Sequence, residues 1–210
     1  MLIVIILEHL TERNNMRYVI FDLETRQGPL DLRPDDEEAG WNALREGEGG
    51  ISVITIYDSD QDWVFLYDDL CLETAARHLE AADLVVSYYG SKFDIPVIEG
   101  ILDRKLRLKQ HLDLYSKLAE ESIKKGIINR KGDLTLNSVC TRTFGKGKIG
   151  NGAHAIDLIK TGRYAELFNY CAHDVLLTRQ LFDYICQHNG VQGLQNSFLP
   201  VTLPDWMKRR

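Results

Sequence analysis

The chain has 210 residues, 44% of them hydrophobic and 27% charged, with a formal net charge of −6. These values suit one globular domain with a sizeable core and exclude a disordered chain, whose hydrophobic share would be lower. Four scattered cysteines (Cys71, Cys140, Cys171, Cys186) with no CxxC pair give no sign of a zinc site or a disulfide framework; buried thiols in a reducing cytoplasm are expected.

Residues 1–7 form an apolar run, far short of the roughly 20 residues that a bilayer span needs. The run meets Glu8, Glu12 and Arg13 rather than a cleavage site, so no membrane partner is expected. Residues 1–15 read as an extension ahead of Met16 or as an extra edge strand. Tyr18–Leu23 is β-branched and aromatic and reads as a central strand. Arg26–Gly50, polar and acidic, reads as a long loop of the functional kind. Ile51–Tyr57 and Trp63–Tyr67, around a turn at Asp58–Asp62, read as a hairpin beside the first strand. A helix over Leu72–Ala82, a buried strand over Leu84–Tyr88 and a helix over Asp94–Leu106 follow, with Pro96 in the last one's first turn. His111–Leu114 is a strand candidate leading into a helix over Tyr115–Lys125. Leu134–Phe144 and Tyr164–Asn189 read as helices, with Gly190 as a stop signal. This order predicts an α/β fold, a mixed sheet with helices around it. One domain is expected over residues 16–190. Residues 191–210 are expected to form a C-terminal tail, of which Asn196–Arg210, with two prolines and a lone Trp206, docks that aromatic or stays disordered.

Three segments carry chemistry. In Phe21-Asp22-Leu23-Glu24-Thr25, the two acids are two apart on a strand and share one face. Burying them together calls for cations or protons; the bland alternative is a strand end with two solvated acids. Asp94, in Tyr89-Gly90-Ser91-Lys92-Phe93-Asp94, stands at a strand-to-helix turn, where it would also serve as a plain helix cap. Tyr170 and Asp174 are i and i+4 on a helix that Val175, Leu177, Thr178 and Leu181 mark as buried along one side. Four carboxylates converging from two strand ends and two helices are an oxygen-only donor set that suits Mg²⁺ or Mn²⁺. Two such ions about 4 Å apart clamp the oxygens of a phosphodiester during hydrolysis.

Charge points the same way. Residues 1–103 hold 7 Lys and Arg against 22 Asp and Glu, net −15; residues 104–210 hold 18 against 9, net +9. Asymmetry of this kind flags a polyanion partner. The basic groups cluster at Arg104–Lys109, at Lys124, Lys125, Arg130 and Lys131, at Arg142, Lys146 and Lys148, and at 208–210. They are candidates for phosphate contact, and a solvated face is the alternative.

With these segments in view, the sequence resembles the DEDD superfamily of 3′–5′ exonucleases with the ribonuclease H-like fold. The likeness rests on FDLET (21–25), FD (93–94) and YCAHD (170–174), extends to GGISVITIYD (49–58), HLDLYSKL (111–118) and LTLNSVCTRTFG (134–145), and covers roughly residues 17–187. It implies that Asp22 bridges two metals, that Glu24 and Asp174 complete the site of the ion carrying the attacking water, and that Asp94 serves the other through water. It further implies that Tyr170 orients that water, as in the tyrosine (DEDDy) type; the position used by the histidine type is Asn169. A phenol with a pKa near 10 is a poor base at neutral pH, so orientation is its role. His173 is a less apt base because its helical angle is wrong. Thr25, Tyr89, Phe93, Lys146 and Lys148 are expected to contact substrate, with Tyr88, Tyr89 or Phe93 stacking a base. Tyr89 departs from the family, whose members usually carry Asn there. Asp113 is expected to cap a helix, and His154 to be a surface histidine or to touch a phosphate.

The expected function is metal-dependent 3′–5′ hydrolysis of single-stranded nucleic acid, DNA slightly over RNA. The alternatives are an endonuclease, structure-specific or hybrid-cleaving, on the same metals, a nucleic-acid-binding module without catalysis, and a structural domain with capped helices and solvated acids.

Overall fold

The computed structural model describes residues 16–127, 129–130, 132–150, 152–194 and 197–204. The expectations for residues 1–15 and for Trp206 lie outside these.

The first strand, β1 (Tyr18–Thr25), runs through the middle of a five-stranded sheet. Its partners are β2 (Ile51–Asp58), β3 (Trp63–Tyr67), β4 (Leu84–Ser87) and β5 (His111–Asp113), in the order β3-β2-β1-β4-β5. β1 pairs antiparallel with β2 and parallel with β4, and β4 pairs parallel with β5. The sheet is therefore mixed, as the sequence predicts.

Both faces of β1 are covered, which is why YVIFDL is an almost unbroken apolar run. Val19, Phe21 and Leu23 face α3 (Leu72–Ala81) and α4 (Asp94–Leu102), against Ala75, Leu79, Val97 and Ile98. Ile20 faces the other way, into a core shared by α5 (Leu114–Lys124), α6 (Leu136–Phe144) and the long α8 (Tyr164–His188). Successive strand residues alternate faces, so Asp22 and Glu24 continue the row that begins at Ile20. That row leaves the core just where it meets α8.

Several boundaries move for local reasons. α4 ends at Leu102 instead of running on to 106, because Asp103 turns left-handed (φ 49°). α6 starts at Leu136, with the Thr135 hydroxyl accepting from the Ser138 N–H as N-cap. A further helix, α7 (Gly152–Lys160), occupies the stretch before α8.

Two expectations are corrected. Arg26–Gly50 is not a loop: it holds α1 (Pro29–Leu32) and α2 (Glu37–Arg45), the latter capped by Asp36, whose carboxylate accepts from the Ala39 N–H at 2.9 Å. Gly40 lets α2 close on α1, since a Cβ there would sit 2.0 Å from the Pro29 carbonyl oxygen. The segment expected to be a tail carries structure among its described residues, 191–194 and 197–204. β6 (Gly190–Gln192) pairs antiparallel with β7 (Phe198–Pro200), and Val191, Leu199, Val201 and Leu203 are buried in the α8-side core. Of the cysteines, Cys140 and Cys171 are buried but Cys71 is exposed. Among the described residues no helix is long and apolar enough to cross a membrane.

Candidate active site

Asp22 and Glu24 project from the C-terminal half of β1, and Asp174 reaches them from the middle of α8. One carboxylate oxygen from each of the three lies within 4.8 Å of the other two. Asp94, the first residue of α4, is 4% exposed, and its Oδ1 accepts the Leu23 N–H at 3.2 Å. That bond ties the α4 start to the strand between the two acids. It goes beyond the simple capping alternative, because the carboxylate accepts from the β1 backbone across the fold.

Tyr170, one turn before Asp174, is 1% exposed, and its hydroxyl lacks a hydrogen-bond partner among the described residues. Cys171 fills the space behind the acids, with Sγ 3.6 Å from the Asp22 carbonyl oxygen. Lys148 enters from the loop between α6 and α7, its Nζ 2.6 Å from Asp174 Oδ2 and 5.4 Å from the centre of the Tyr170 ring. Its backbone is pinned, since the Lys148 N–H donates to Asn137 Oδ1 at 2.9 Å. Gly147 permits this approach: a Cβ there would fall 2.1 Å from the same oxygen.

The electrostatics follow from burial. Loss of water, then repulsion from Asp94, Asp174 and Glu24, holds the Asp22 carboxyl well above the usual carboxylate range. Burial pushes Glu24 up to about 8 against the pull of Lys148, and Asp94 up to about 7. Asp174 is raised by burial too, with Lys148 opposing. Lys148 keeps its charge: burial works against it, but Asp22 and Asp174 outweigh that and raise its pKa. Burial also raises the Tyr170 phenol, which stays protonated at neutral pH.

These residues fit a hard divalent cation. The donors are all oxygen, three converge on one small volume, and the two buried Asp174 oxygens find no hydrogen-bond donor of good geometry besides the Lys148 ion pair. Asp22, Glu24 and Asp174 could therefore hold a metal, with Asp94 beside them.

Two clefts meet over the acids. One, about 1010 Å³, is lined by Glu24, Thr25, Leu30, Trp41, Phe93 and Tyr170 among others. Trp41 and Phe93 stand edge to face there, with centroids 5.4 Å apart. The other, about 1000 Å³, is the more polar of the two, with Asn129, Arg130, Thr135 and Asn137 beside Tyr115 and Ile149. Asp22, Tyr88, Tyr89, Lys148 and Gly152 line both.

Of the residues singled out from sequence, Asp22, Glu24, Thr25, Tyr88, Tyr89, Phe93, Asp94, Lys148 and Tyr170 line the clefts, while Asp174 lines neither and is buried against Asp22 and Glu24. Lys146 does not join them: it is exposed and lines neither cleft. The 104–109 basic run is also elsewhere, neutralised by acids: Arg104 with Glu73 and Glu80, Lys105 with Glu99, Lys109 with Asp83. Asp113 caps α5 as expected, accepting from the Ser116 N–H, and also holds the N–H groups of Tyr89 and Ser91 at 3.0 Å each. His154 is exposed and stands edge-on to Tyr170, 6.1 Å between centroids. His173 sits beside Asp174, Nδ1 to Oδ1 3.8 Å, off the line of Tyr170. Sequence reasoning missed Trp41, hidden in the segment taken for a loop; its signal was the Asp36 cap followed by Glu37 and Glu38.

A family model described as the RNase H superfamily matches residues 42–145, a span that includes Asp94 but neither β1 nor α8. No curated protein matches the chain in sequence. Among solved structures it is similar to the family B DNA polymerase from the hyperthermophilic archaeon Pyrobaculum calidifontis. The two are 17% identical with a TM-score of 0.57, over 81% of this chain and 24% of the polymerase. At that identity the likeness is one of fold, and this chain spans about a quarter of the polymerase's length. The five-stranded mixed sheet flanked by helices is an α/β fold shared with that polymerase, and its residues 42–145 are similar to the RNase H superfamily.

Proposed function

We propose that this protein is a 3′–5′ exonuclease of the tyrosine (DEDDy) type, hydrolysing phosphodiester bonds at single-stranded 3′ ends, DNA slightly over RNA. The observation that carries the reading is the convergence of Asp22, Glu24 and Asp174 within 4.8 Å, beside a buried neutral Tyr170 and a charged Lys148. Mg²⁺ or Mn²⁺ ions, two in this proposal, held by Asp22, Glu24, Asp94 and Asp174 would supply Lewis acidity toward water and phosphate.

The chain's own residues do the rest. Tyr170, neutral because burial raises its phenol, holds the attacking water by its hydroxyl, a task of orientation rather than proton removal. Lys148, fixed through Asn137, balances charge on a phosphate oxygen. Thr25 and Phe93 hold the terminal nucleotide in the apolar cleft. Water gives its hydroxyl to phosphorus and its proton to the departing 3′ oxygen. The products are a nucleoside 5′-monophosphate and a strand shorter by one nucleotide.

The test uses 5′-labelled single-stranded DNA and RNA, linear and circular, with Mg²⁺, Mn²⁺ or EDTA, for wild type and Asp174→Ala. A metal-dependent ladder from the 3′ end, absent in Asp174→Ala and with circles left intact, is the expected result. Cut circles would convert the reading to an endonuclease. Linear substrate left intact with every metal would end it.

A further inference from the structure

The two edges of the sheet are unlike. β5 is only three residues long, which blunts it. β3 is five residues long, Trp-Val-Phe-Leu-Tyr, and its register against β2 runs without a bulge from Trp63 opposite Asp58 to Tyr67 opposite Ile54. Among the described residues no strand pairs with its outer side. Alternate N–H and C=O groups of β3 therefore face outward, and none of the usual guards of an edge, a proline, a bulge or a lysine, stands on the strand. Its side chains are apolar on both faces. Phe65 and Tyr67 stand edge-on to His78 of α3, and Trp63 on that face is 66% exposed. Val64 packs into the α8-side core, and Leu66 on that face is 46% exposed. Leu70, just beyond the strand, is 88% exposed.

Charge decides what fits this edge. Asp60 and Asp62 precede the strand and Asp68 and Asp69 follow it; from Glu46 to Ala76 the chain holds eight acids and no lysine, arginine or histidine. Among the described residues, Arg179 pairs with Asp62 and Arg26 with Asp69, which leaves Asp60 and Asp68 without an ion pair. A second copy does not fit: two β3 edges set side by side, in either direction, bring acids against acids. We propose that the outer edge of β3 docks an extended segment of a partner protein, apolar in its middle and flanked by lysine or arginine, which joins the sheet as a sixth strand. The ladder supplies the backbone bonds, the partner's apolar side chains cover Trp63 on one face and Leu66 on the other, and the four aspartates select the basic flanks. No residue of β3 lines either cleft, so docking leaves the acidic site open, and the inference stands whether or not the nuclease reading holds.

The experiment follows amide hydrogen exchange of the full chain by NMR, alone and with two synthetic peptides. One is Lys-Arg-Val-Thr-Val-Thr-Val-Arg-Lys; the other has glutamate in place of each basic residue. In the free protein the outward amides of β3 should exchange fast at every protein concentration. The basic peptide should slow them by about tenfold or more, and less at high salt, whereas the acidic peptide should leave them fast. Leu66→Lys, which sets a like charge in the middle of the edge, should remove the protection, with the β1 amides as the check that its sheet is intact. Outward amides that the basic peptide leaves unchanged, that both peptides slow alike, or that stay protected by the peptide in Leu66→Lys overturn the proposal. So do outward amides already slow in the free protein: at every concentration they would mean an edge covered by the chain's own residues, and at high concentration alone an edge covered by a second copy.

Discussion

Carboxylates stand at both ends of the β1–β2 ladder, buried at one and half-buried at the other, and their surroundings are opposite. Asp58, across from Val19, is fully buried and fully partnered. Arg17 Nη2 donates to it at 2.6 Å and the Asp60 N–H at 3.0 Å, while His78 Nε2 lies 2.8 Å away with its Nδ1 against the Tyr67 hydroxyl. Burial alone would raise the Asp58 pKa, but Arg17 and His78 outweigh it and hold the carboxyl below its usual value. At the other end, Asp22, Glu24, Asp94 and Asp174 have Lys148 as their one close ammonium, with only neutral donors such as the Leu23 N–H and the Cys171 thiol besides, and all four are raised. Burial does not separate a structural acid from a functional one. The supply of donors does: a structural acid arrives with its partners, whereas an acid kept short of them is waiting for a ligand.

That contrast can be broken by substitution. Asp22→Asn should lower nuclease activity by about 10³-fold or more, since it removes a charged oxygen from the centre of the cluster. The same change should raise the metal-free protein's resistance to urea, because it relieves repulsion; a loss of stability in EDTA would refute the account of a donor-starved site. Asp58→Ala should do the reverse, costing about 3–5 kcal/mol in a urea titration by leaving the Arg17 guanidinium and His78 without their acceptor, while metal-dependent cleavage per folded molecule stays at the wild-type rate.

The smallest effect is the most diagnostic. Glu24 (about 8) and Asp94 (about 7) lie above their unfolded values, so the folded metal-free protein binds extra protons. Its stability is then fully present below the ordinary carboxylate range and declines as pH rises through about 7 to 8. Asp58 has the opposite sign: its contribution is present above the ordinary range and lost as pH falls through its depressed value. Urea midpoints in EDTA across pH 5 to 9 should fall for wild type, and Glu24→Gln should flatten the decline. An equal slope in both proteins would show that Glu24 takes no part.

The sequence carried the acids and lost their surroundings. Asp22 and Glu24 were legible because a period-two pattern puts residues 20, 22 and 24 on one face, and Tyr170 with Asp174 because a period of 3.6 aligns i and i+4. The sheet was legible from its β-branched runs. The Lys148–Asp174 contact was not, since nothing local relates a glycine-flanked lysine to a helix 26 residues on. Nor was the wall carrying Trp41: its stretch is so acidic that composition outweighed the cap at Asp36, and no local pattern shows that Gly40 is a contact point for Pro29. The basic run at 104–109 misled in the other direction, because the acids that neutralise it come from α3, α4 and the α3–β4 turn.

The β6–β7 hairpin sets an order of assembly. Leu118, Val139 and Phe182 share their core with Leu199, Val201 and Leu203. During synthesis, at roughly 5–20 residues per second, the strands and most helices emerge several seconds before these last apolar residues. The nascent chain therefore holds a finished sheet with an open flank, greasy and unsealed, until residue 203 clears the ribosome. A stalled or truncated product would present that flank to chaperones and to its own copies, while the acids at the far rim of α8 were already in place.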